Sequence, residues 1–410
     1  MQGEYSFDET VDRRNTGAIK WDDSFNGGGK PDVIPLWVAD MDFPAPPSVA
    51  EALRKRLNHP VFGYTNPPAD YQAVVAGWYA RRYKAEVSAE EVLIAPGMIP
   101  SLGIAVRSLT EAGAGILVTA PVYYPFFDII RDNGRIAVNT ALSTDGEGRF
   151  RLDFAAMDEA IRTAAREGVR TQAFMLCSPH NPGGRIWREN ELREVLEFCG
   201  ERGLALISDE IHGDIAVSDV PFVSLAGMES DDCKKIAVLG APNKTFNIAG
   251  LHISHFVVRD HETRAAIKKG IAAAGFSQPN VFSITAAHEA YRTAGPWLDA
   301  LNAYLKENIG FLLNFFAEKI PEAKAVPPEG GYLVWIDARK LIAELGFADD
   351  LSFSLALAEE GRVRVNPGSK FGPEGRGCLR INTACPRGQL EEGLSRFYGW
   401  ISSRRENVQR

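Results

Sequence analysis

Six short apolar runs alternate with helix-patterned segments between about residue 90 and residue 260, and this alternation constrains the fold most strongly. The runs are "GILVTAP", "RIAVNTAL", "QAFMLCSP", "LALISDE", "KIAVLGAP" and "SHFVVRD". Apolar runs of this length are typical of parallel strands buried on both faces. One connecting helix is clear in "ENELREVLEFCGERG", where Leu192, Val195, Leu196 and Cys199 share a face before Gly203. We therefore predict a three-layer α/β domain, with helices on both sides of a mostly parallel sheet.

The length of the chain and the character of its two ends predict a second, smaller domain. A chain of 410 residues is too long for one small core. Residues 1–45 are rich in Gly, Asp and Pro, and the chain beyond about residue 290 runs through a long helix into strands such as "GYLVWIDA" and "GCLRINTA". We predict that 1–45 and 289–410 form a smaller α+β domain beside a large domain of residues 46–288. In "FNGGGKPD", Lys30 precedes a proline and follows no strand, which favours a surface turn over a phosphate loop.

Composition and charge exclude several classes of protein. Apolar residues make up 45% and charged residues 24%, with a formal charge of -8 and scattered Lys and Arg, so a soluble enzyme is expected and a nucleic-acid partner is not. No apolar stretch approaches the roughly 18 residues of a membrane span, and the polar start predicts a cytoplasmic protein rather than an exported one. The five cysteines are odd in number and lack metal-site spacing, so we expect reduced thiols and no metal. They are Cys177, Cys199, Cys233, Cys378 and Cys385.

Chemically distinct residues follow the predicted strands, where open α/β sheets bind their ligands. They are Gly97, Tyr123, Asn181, Asp209 and Lys244. A desolvated lysine loses its proton easily and attacks carbonyl carbon, as in catalysis with pyridoxal phosphate. Asp209 can keep the ring nitrogen of that cofactor protonated, Asn181 can bind its phenolic oxygen, and the turn at Gly97 opens a helix suited to phosphate. Each residue alone also fits a cap, a turn or a solvated loop, so their order along the chain carries the argument.

Three blocks in order, "SPHNPGGRIW", "SDEIHGD" and "APNKTFNIAGL", resemble the class I/II aminotransferase superfamily of pyridoxal-phosphate enzymes, fold type I. More narrowly, "IPLWVADMDFPAP", "FGYT" and "NKTFNIAGL" are similar to the MalY/PatB branch, the cystathionine β-lyase or C–S lyase group. The resemblance extends from "RRNTGAIKWD" to "LRINTACPR". It implies the pyridoxal-phosphate transferase fold and pyridoxal 5'-phosphate as cofactor.

The resemblance assigns roles to five residues of the site. It implies that Lys244 binds the cofactor covalently and then moves the proton on the substrate's Cα. Asp209 would pair with the pyridine nitrogen, Asn181 would bind the phenolic oxygen and Tyr123 would stack on the ring. Arg380 matches the arginine that grips the α-carboxylate of an amino-acid substrate, which suits a guanidinium fork.

Two further residues are implicated less directly. His212 occupies the position where many relatives carry a tyrosine bonded to the phenolic oxygen, although a buried core histidine is the alternative. Tyr64 matches a residue that reaches the cofactor phosphate from the neighbouring subunit. The resemblance therefore implies a homodimer with shared active sites.

The residues expected around the cofactor phosphate depart from the family pattern at two positions. Ala241 stands where a serine is frequent, and His252 stands where aminotransferases often have a phosphate-binding arginine. The phosphate would then depend on backbone donors around Gly97, Met98 and Ile99, together with the tyrosine of the neighbouring subunit.

Two reactions are compatible with these residues, β-elimination and transamination, and both begin when Lys244 removes the Cα proton of the substrate. The family resemblance favours β-elimination from cystathionine or another cysteine S-conjugate, which releases a thiol, pyruvate and ammonia. Transamination is the alternative, and it suits a site that binds a second carboxylate. A third hypothesis, from a different class of function, is a protein that keeps the fold, has no catalytic activity and binds a regulator. A nicotinamide dehydrogenase is disfavoured because no G-x-G-x-x-G follows an early strand.

Overall fold

A seven-stranded sheet forms the centre of the chain, for which a computed structural model describes residues 5–22 and 32–408. From one edge to the other, its strands are Val92–Pro96, Ile253–Val257, Ile236–Gly240, Ala205–Asp209, Thr171–Cys177, Gly115–Ala120 and Ile136–Ala141. Every residue of Ala205–Asp209 and Gly115–Ala120 is buried, as expected for strands covered by helices on both faces. The mostly parallel sheet is confirmed.

Two of the six apolar runs differ from the prediction. Ile253–Val257 is antiparallel to both of its neighbours, Val92–Pro96 and Ile236–Gly240. The chain between Ile236–Gly240 and this strand holds one four-residue α-helix and a 3₁₀ turn, too little for the crossover that a parallel return requires. Ile136–Ala141 is an edge strand with exposed residues at both ends, so it is not buried on both faces.

Helices cover both faces of this sheet, which confirms the three-layer α/β architecture. Phe174, Leu206 and Val238 contribute to one hydrophobic core, whereas Met175 and Ile207 contribute to the other. The alternation follows from the strand geometry, in which successive side chains point to opposite faces. The helices are Ile19–Asp22, Pro47–Leu57, Tyr71–Tyr83, Met98–Leu109, Pro125–Asp132, Phe154–Arg166, Glu189–Arg202, Pro242–Thr245, His261–Ala273, Val281–Thr293, Gly295–Lys319, Arg339–Glu344, Asp350–Glu359 and Arg387–Val408. The predicted connecting helix is Glu189–Arg202, and Gly203 ends it in the left-handed conformation with φ 62°.

A second sheet of four antiparallel strands follows the long helix Gly295–Lys319. In spatial order its strands are Lys324–Val326, Leu333–Asp337, Cys378–Asn382 and Asn366–Pro367. Two further pairs are Ile34–Pro35 with Val363–Arg364, and Ser143–Thr144 with Phe150–Arg151. The first of these pairs joins the two ends of the chain, while the division at residues 45/46 and 288/289 stays a prediction.

Buried charges tie the N-terminal segment to the rest of the molecule. Lys20 is 1% exposed, and its Nζ lies 2.8 Å from Asp42 Oδ2. Arg13 lies 2.7 Å from Asp42 Oδ1 and 2.6 Å from Asp40 Oδ2. A buried ion pair is tolerated when its members satisfy one another in this way. The network holds the segment that reaches the site through Ala39.

Further sequence expectations concern the cysteines, membrane spans, metal sites and the turn at Lys30. All five cysteines are free and buried, as expected for reduced thiols. Across residues 5–22 and 32–408, no helix has the length and apolar character needed to cross a bilayer, and no group of His, Cys, Asp or Glu is placed to hold a metal. The turn expected at Lys30 lies outside the described residues.

Candidate active site

A cavity of about 340 Å³ opens at the carboxyl ends of the central strands. Nine of the ten residues predicted for the site line it, and they come from distant parts of the chain. They are Gly97, Met98, Ile99, Tyr123, Asn181, Asp209, His212, Lys244 and Arg380. The residues predicted at the strand ends therefore lie around one cavity. A larger and more open depression of about 1060 Å³, lined by Arg81, Arg82 and Phe222 among others, contains none of them.

Lys244 lies on the short helix Pro242–Thr245, directly after the strand Ile236–Gly240. Its Nζ donates a hydrogen bond to the backbone oxygen of Ala39. Burial lowers the pKa of Lys244 to about 8, although the nearby carboxylate of Asp40 opposes part of that shift. Because more of the amine is neutral near pH 8 than in an exposed lysine, Lys244 is suited to attack a carbonyl carbon.

Asp209 is the last residue of the strand Ala205–Asp209, and it is 2% exposed. Its Oδ1 accepts a hydrogen bond from the backbone N–H of Ile211 at 3.1 Å. Burial raises the pKa of Asp209 to about 6, while this hydrogen bond and the charge of Lys244 act in the opposite direction. A buried carboxylate on a cavity wall is stabilised when a cationic N–H binds beside it, so the site fits a protonated ring nitrogen.

Arg380 and Asn181 form one hydrogen-bonded pair on the cavity wall. Arg380 donates from Nη1 to Asn181 Oδ1 at 2.9 Å and from Nη2 to the backbone oxygen of Trp37 at 2.9 Å. The buried Nε of Arg380 has no hydrogen-bond partner among the described residues. Burial lowers the pKa of Arg380 to about 10. The guanidinium thus retains an unused donor for a ligand carboxylate, and the bond to Asn181 occupies the amide oxygen rather than its N–H groups.

His212 and Tyr123 bring aromatic side chains to the cavity. His212 is 4% exposed, and its Nδ1 is buried without a hydrogen-bond partner in the described chain. Burial, with the charges of Lys244 and Arg380, lowers the pKa of His212 to about 3, so the imidazole is neutral. Burial also raises the pKa of Tyr123, which keeps its hydroxyl protonated. An orphaned nitrogen on a cavity wall fits a ligand atom that bonds to it.

The helix Met98–Leu109 begins at the cavity with Gly97 as its N-cap. A Cβ on Gly97 would lie 3.2 Å from His252 Nδ1 and 3.3 Å from His252 Cα, so a side chain there would require His252 to move by a few tenths of an ångström. His252 itself adopts the left-handed conformation with φ 49° and also lines the cavity. Because Pro100 has no N–H, the free donors of the first turn are those of Met98 and Ile99. This end of the cavity fits a phosphate group.

The structure does not bring Tyr64 to this cavity. Its side chain is 100% exposed in the single chain, and it lies between the helices Pro47–Leu57 and Tyr71–Tyr83. The predicted role of Tyr64 in the neighbouring subunit's site stays a prediction.

Several lining residues were missed by sequence reasoning. The missed residues include Trp37, Val38, Ala39, Tyr124, Asn366 and Lys370. The block "IPLWVADMDFPAP" carried part of the family resemblance and so contained a signal for the first three. Ala39 acts through its backbone oxygen, which accepts from Lys244 and, at 2.9 Å, from Tyr332. Such a contact is independent of side-chain type, so no residue pattern predicts it.

Comparisons with known proteins agree with this geometry. The family model "Aminotransferase class I and II" matches residues 31–397. The chain is 36% identical over 401 residues to "Cystathionine beta-lyase PatB" of Bacillus subtilis (strain 168), covering 97% of this chain and 100% of the relative. Among solved structures, cystalysin from Treponema denticola, which contains a pyridoxal 5'-phosphate cofactor, superimposes with a TM-score of 0.90 at 30% identity, covering 98% of this chain and 99% of that one. The pyridoxal-phosphate-bound C–S lyase from Staphylococcus hominis gives 0.87 at 30% identity, covering 97% and 99%.

Proposed function

The chain belongs to the class I and II aminotransferase family, and from this premise we propose that it is a pyridoxal 5'-phosphate-dependent carbon–sulfur β-lyase. Its substrates are cystathionine or related cysteine S-conjugates, and its products are a thiol, pyruvate and ammonia. The similar proteins named as a cystathionine β-lyase and a C–S lyase support this choice of reaction.

One observation carries the proposal: a lysine with a lowered pKa, a buried carboxylate and an arginine with an unused donor line the same cavity. Lys244 takes the nucleophile's role, Asp209 faces a ring nitrogen and Arg380 faces a carboxylate. Each group would be costly to bury for structural purposes alone. Their convergence on one cavity fits a ligand with a carbonyl carbon, a basic ring and an amino-acid partner.

The proposed chemistry divides between the cofactor and the chain. Pyridoxal phosphate, when bound, supplies an electron sink for the carbanion at the substrate's Cα. Lys244 attaches the cofactor and then, as a free amine, accepts the Cα proton. Arg380 orients the substrate through its α-carboxylate, which presents the Cα–H bond to Lys244. The net reaction cleaves the Cβ–S bond of the conjugate, consumes one water and releases the sulfur as a thiol.

The ring of the cofactor is held by four side chains in this proposal. Asp209 keeps the ring nitrogen protonated, and Asn181 donates from its amide N–H to the phenolic oxygen. His212 directs a ring nitrogen to the same oxygen, which would satisfy the orphaned Nδ1 if the tautomer is protonated there. Tyr123 stacks on the ring.

Backbone donors hold the phosphate in place of the arginine that is frequent in aminotransferases. The N–H groups of Met98 and Ile99 lie at the positive end of an α-helix that begins at the cavity, which supports this choice of phosphate donors. His252 lies beside them. We further propose that Tyr64 of a second subunit completes this cradle, which makes the active unit a homodimer.

The cytoplasm is the proposed location. Five free, buried cysteines are compatible with a reducing compartment, where disulfides rarely form.

The decisive experiment separates elimination from transamination. Purified holoenzyme is incubated with L-cystathionine while pyruvate and thiol are measured, and separately with L-amino acids plus 2-oxoglutarate while glutamate is measured. A C–S lyase yields pyruvate and thiol in equal amounts, and Lys244→Ala yields neither. Glutamate without pyruvate would establish the aminotransferase alternative instead. Neither product from cofactor-loaded protein would favour the non-catalytic alternative.

A further inference from the structure

Asp214 is a buried carboxylate that takes no part in the proposed handling of the cofactor or the substrate. It is 6% exposed and lies outside the lining of the active-site cavity. Its Oδ1 accepts hydrogen bonds from Trp78 Nε1 at 2.9 Å and from Tyr83 Oη at 2.6 Å, and its Oδ2 accepts from Thr245 Oγ1 at 2.7 Å. Burying a carboxylate is costly, and these three donors offset part of the cost. The carboxylate is thus fixed where three parts of the chain meet.

Thr245 connects this carboxylate to the proposed nucleophile. It directly follows Lys244 on the helix Pro242–Thr245, and it is 0% exposed. This helix has four residues, and so short a helix is not stable by itself. Contacts with the rest of the chain must therefore set its position. The bond from Thr245 to Asp214 is such a contact, and it acts on the residue next to the reacting amine.

Asp214 belongs to the segment that carries two ring-binding residues of the proposed function. It lies in the turn that begins after Asp209 and includes His212. Within this turn the backbone N–H of Ile215 donates to the backbone oxygen of His212 at 3.0 Å. One side-chain hydrogen bond therefore joins the helix of Lys244 to the segment of Asp209 and His212.

Two long helices anchor Asp214 from the other side. Trp78 and Tyr83 lie on one helix of 13 residues. Asn302 lies on the helix Gly295–Lys319, of 25 residues, and its Nδ2 donates to the backbone oxygen of Asp214 at 2.9 Å. Trp78 and Asn302 are buried. The junction is therefore held by the scaffold, and the short helix is the part whose position it sets.

We propose that Asp214 is a positioning residue that acts through Thr245 on the place of Lys244. It fixes the helix of the lysine relative to the segment that carries Asp209 and His212. This inference rests on the proposed function, in which the lysine amine first attaches the cofactor and then removes the Cα proton. Both steps require the amine at a set place beside the cofactor, and a small displacement lowers the rate steeply.

The first test is Thr245→Val, because valine has a similar volume but lacks the hydroxyl. In the holoenzyme, kcat for pyruvate release from L-cystathionine is expected to fall about ten-fold, with a smaller change in KM because Arg380 is untouched. Thr245→Ser keeps the hydroxyl and restores most of the lost kcat.

Thr263→Val is the matched control for this variant. Thr263 is 4% exposed, and its Oγ1 donates to Asp260 Oδ2 at 2.7 Å, so the control removes a buried bond of the same kind and length. That bond lies outside the active-site cavity, so kcat is expected to stay within about two-fold of wild type.

The second test does not depend on lyase activity. Protein freed of cofactor is mixed with pyridoxal phosphate over a range of pH, and the rate of the absorbance change is recorded. Burial lowers the pKa of Lys244 to about 8, so a lysine that is no longer held in place meets more water and its rate profile moves to higher pH. Thr245→Val is expected to react about three-fold more slowly than wild type at pH 8, whereas Thr263→Val reacts normally.

The two measurements decide the proposal together. A lower kcat and a rate profile moved to higher pH, both in Thr245→Val and neither in Thr263→Val, support it. If either measurement gives the same result for these two variants, the proposal is overturned. Should Thr245→Val be too unstable to purify, Thr245→Ala and Thr263→Ala are compared by the same criteria, since alanine leaves room for a water beside the carboxylate. A wild-type holoenzyme that releases no pyruvate refutes the lyase function instead, while the rate of cofactor attachment still decides the role of Asp214.

Discussion

At the scale of single residues, burial sets the protonation behaviour of the two groups on which the chemistry depends. Desolvation lowers the pKa of Lys244 to about 8 and raises that of Asp209 to about 6. Both pKa shifts favour the neutral form of the side chain, whereas an ion pair on the surface favours the charged forms of both partners. The site therefore suits a ligand that reacts with the neutral amine of Lys244 and brings a cationic group to the carboxylate of Asp209.

The pH dependence of cofactor attachment tests the state of Lys244. Protein freed of cofactor is mixed with pyridoxal phosphate between pH 6 and pH 10, and the rate of the resulting absorbance change is recorded. Since the neutral amine reacts, the rate is expected to rise with pH and to level off above about pH 8, rather than near the 10.5 of an ordinary lysine. Lys244→Ala is the control and shows no such change. A borohydride-reduced adduct mapped to a different lysine would contradict the assignment.

Replacing Asp209 by asparagine separates function from stability. Turnover is expected to fall on the order of 10²-fold, because the ring nitrogen loses its charged partner. The pKa of Asp209 is raised in the folded state, so its cost to stability develops as pH rises from 3.8 through about 6 and is complete above that. The cofactor-free variant should therefore unfold at the same temperature as wild type or higher at pH 8, as measured by calorimetry. Unchanged turnover with cofactor fully bound would remove Asp209 from the mechanism.

At the scale of elements, the proposed phosphate site depends on the close approach of two elements. They are the start of the helix Met98–Leu109 and the turn at His252. Gly97 caps the helix Met98–Leu109, and a Cβ at Gly97 would lie only 3.2–3.3 Å from His252, which adopts the left-handed conformation. The approach involves backbone atoms of His252, so the turn cannot yield by rotating a side chain alone. Packing at this point decides how well the backbone donors are placed.

Gly97→Ala tests that packing. The added methyl group is expected to displace His252 and to weaken pyridoxal-phosphate binding by about 1–2 kcal/mol, roughly ten-fold in Kd, as measured by titration of cofactor-free protein. Gly310→Ala is the matched control, since a Cβ there meets nothing within 4 Å in the helix Gly295–Lys319. The control should bind cofactor normally and gain about 0.5–1 kcal/mol of stability. Equal cofactor affinities in both variants would show that the turn at His252 does not constrain the site.

The elements also differ in how far sequence could predict them. The strand-end positions of Asn181, Asp209 and Lys244 followed from apolar runs because a buried strand needs a continuous apolar stretch. The antiparallel direction of Ile253–Val257 did not, since its composition is the same whichever way the strand runs. Its direction depends on the short connection before it and on pairing with Val92–Pro96, which is distant in sequence.

At the scale of the whole molecule, an exposed apolar segment suggests a second subunit. Tyr64 is 100% exposed, and the neighbouring Val61 and Phe62 are 64% and 52% exposed. Phe62 also contacts the ring of Phe282 at 5.4 Å. Clustered apolar side chains on a surface are a common feature of interfaces. The proposed dimer would cover them and bring Tyr64 to the partner's phosphate.

Hybrid dimers test this sharing of sites. Tyr64→Phe and Lys244→Ala chains are mixed, provided that Tyr64→Phe alone is seriously impaired, and activity is followed after subunit exchange. In a two-fold dimer each hybrid contains one site that lacks both groups and one intact site. Recovery toward half of the normal activity per hybrid is expected. If exchange is verified by mass spectrometry and no activity returns, Tyr64 acts within its own subunit or outside the site.

The sequence by itself determined which residue types form the site and that they follow successive strands. A buried strand requires a local apolar run, and the polar residues that follow each run are visible in the sequence. It also determined the helix Glu189–Arg202 and its end at Gly203. The tertiary structure decided which distant segments enclose the lysine: Ala39 from the N-terminal segment and Lys370 from the C-terminal one. The physical reason is that these contacts use a backbone oxygen and an exposed side chain. Neither depends on a local apolar pattern, so both are defined only when the chain has folded.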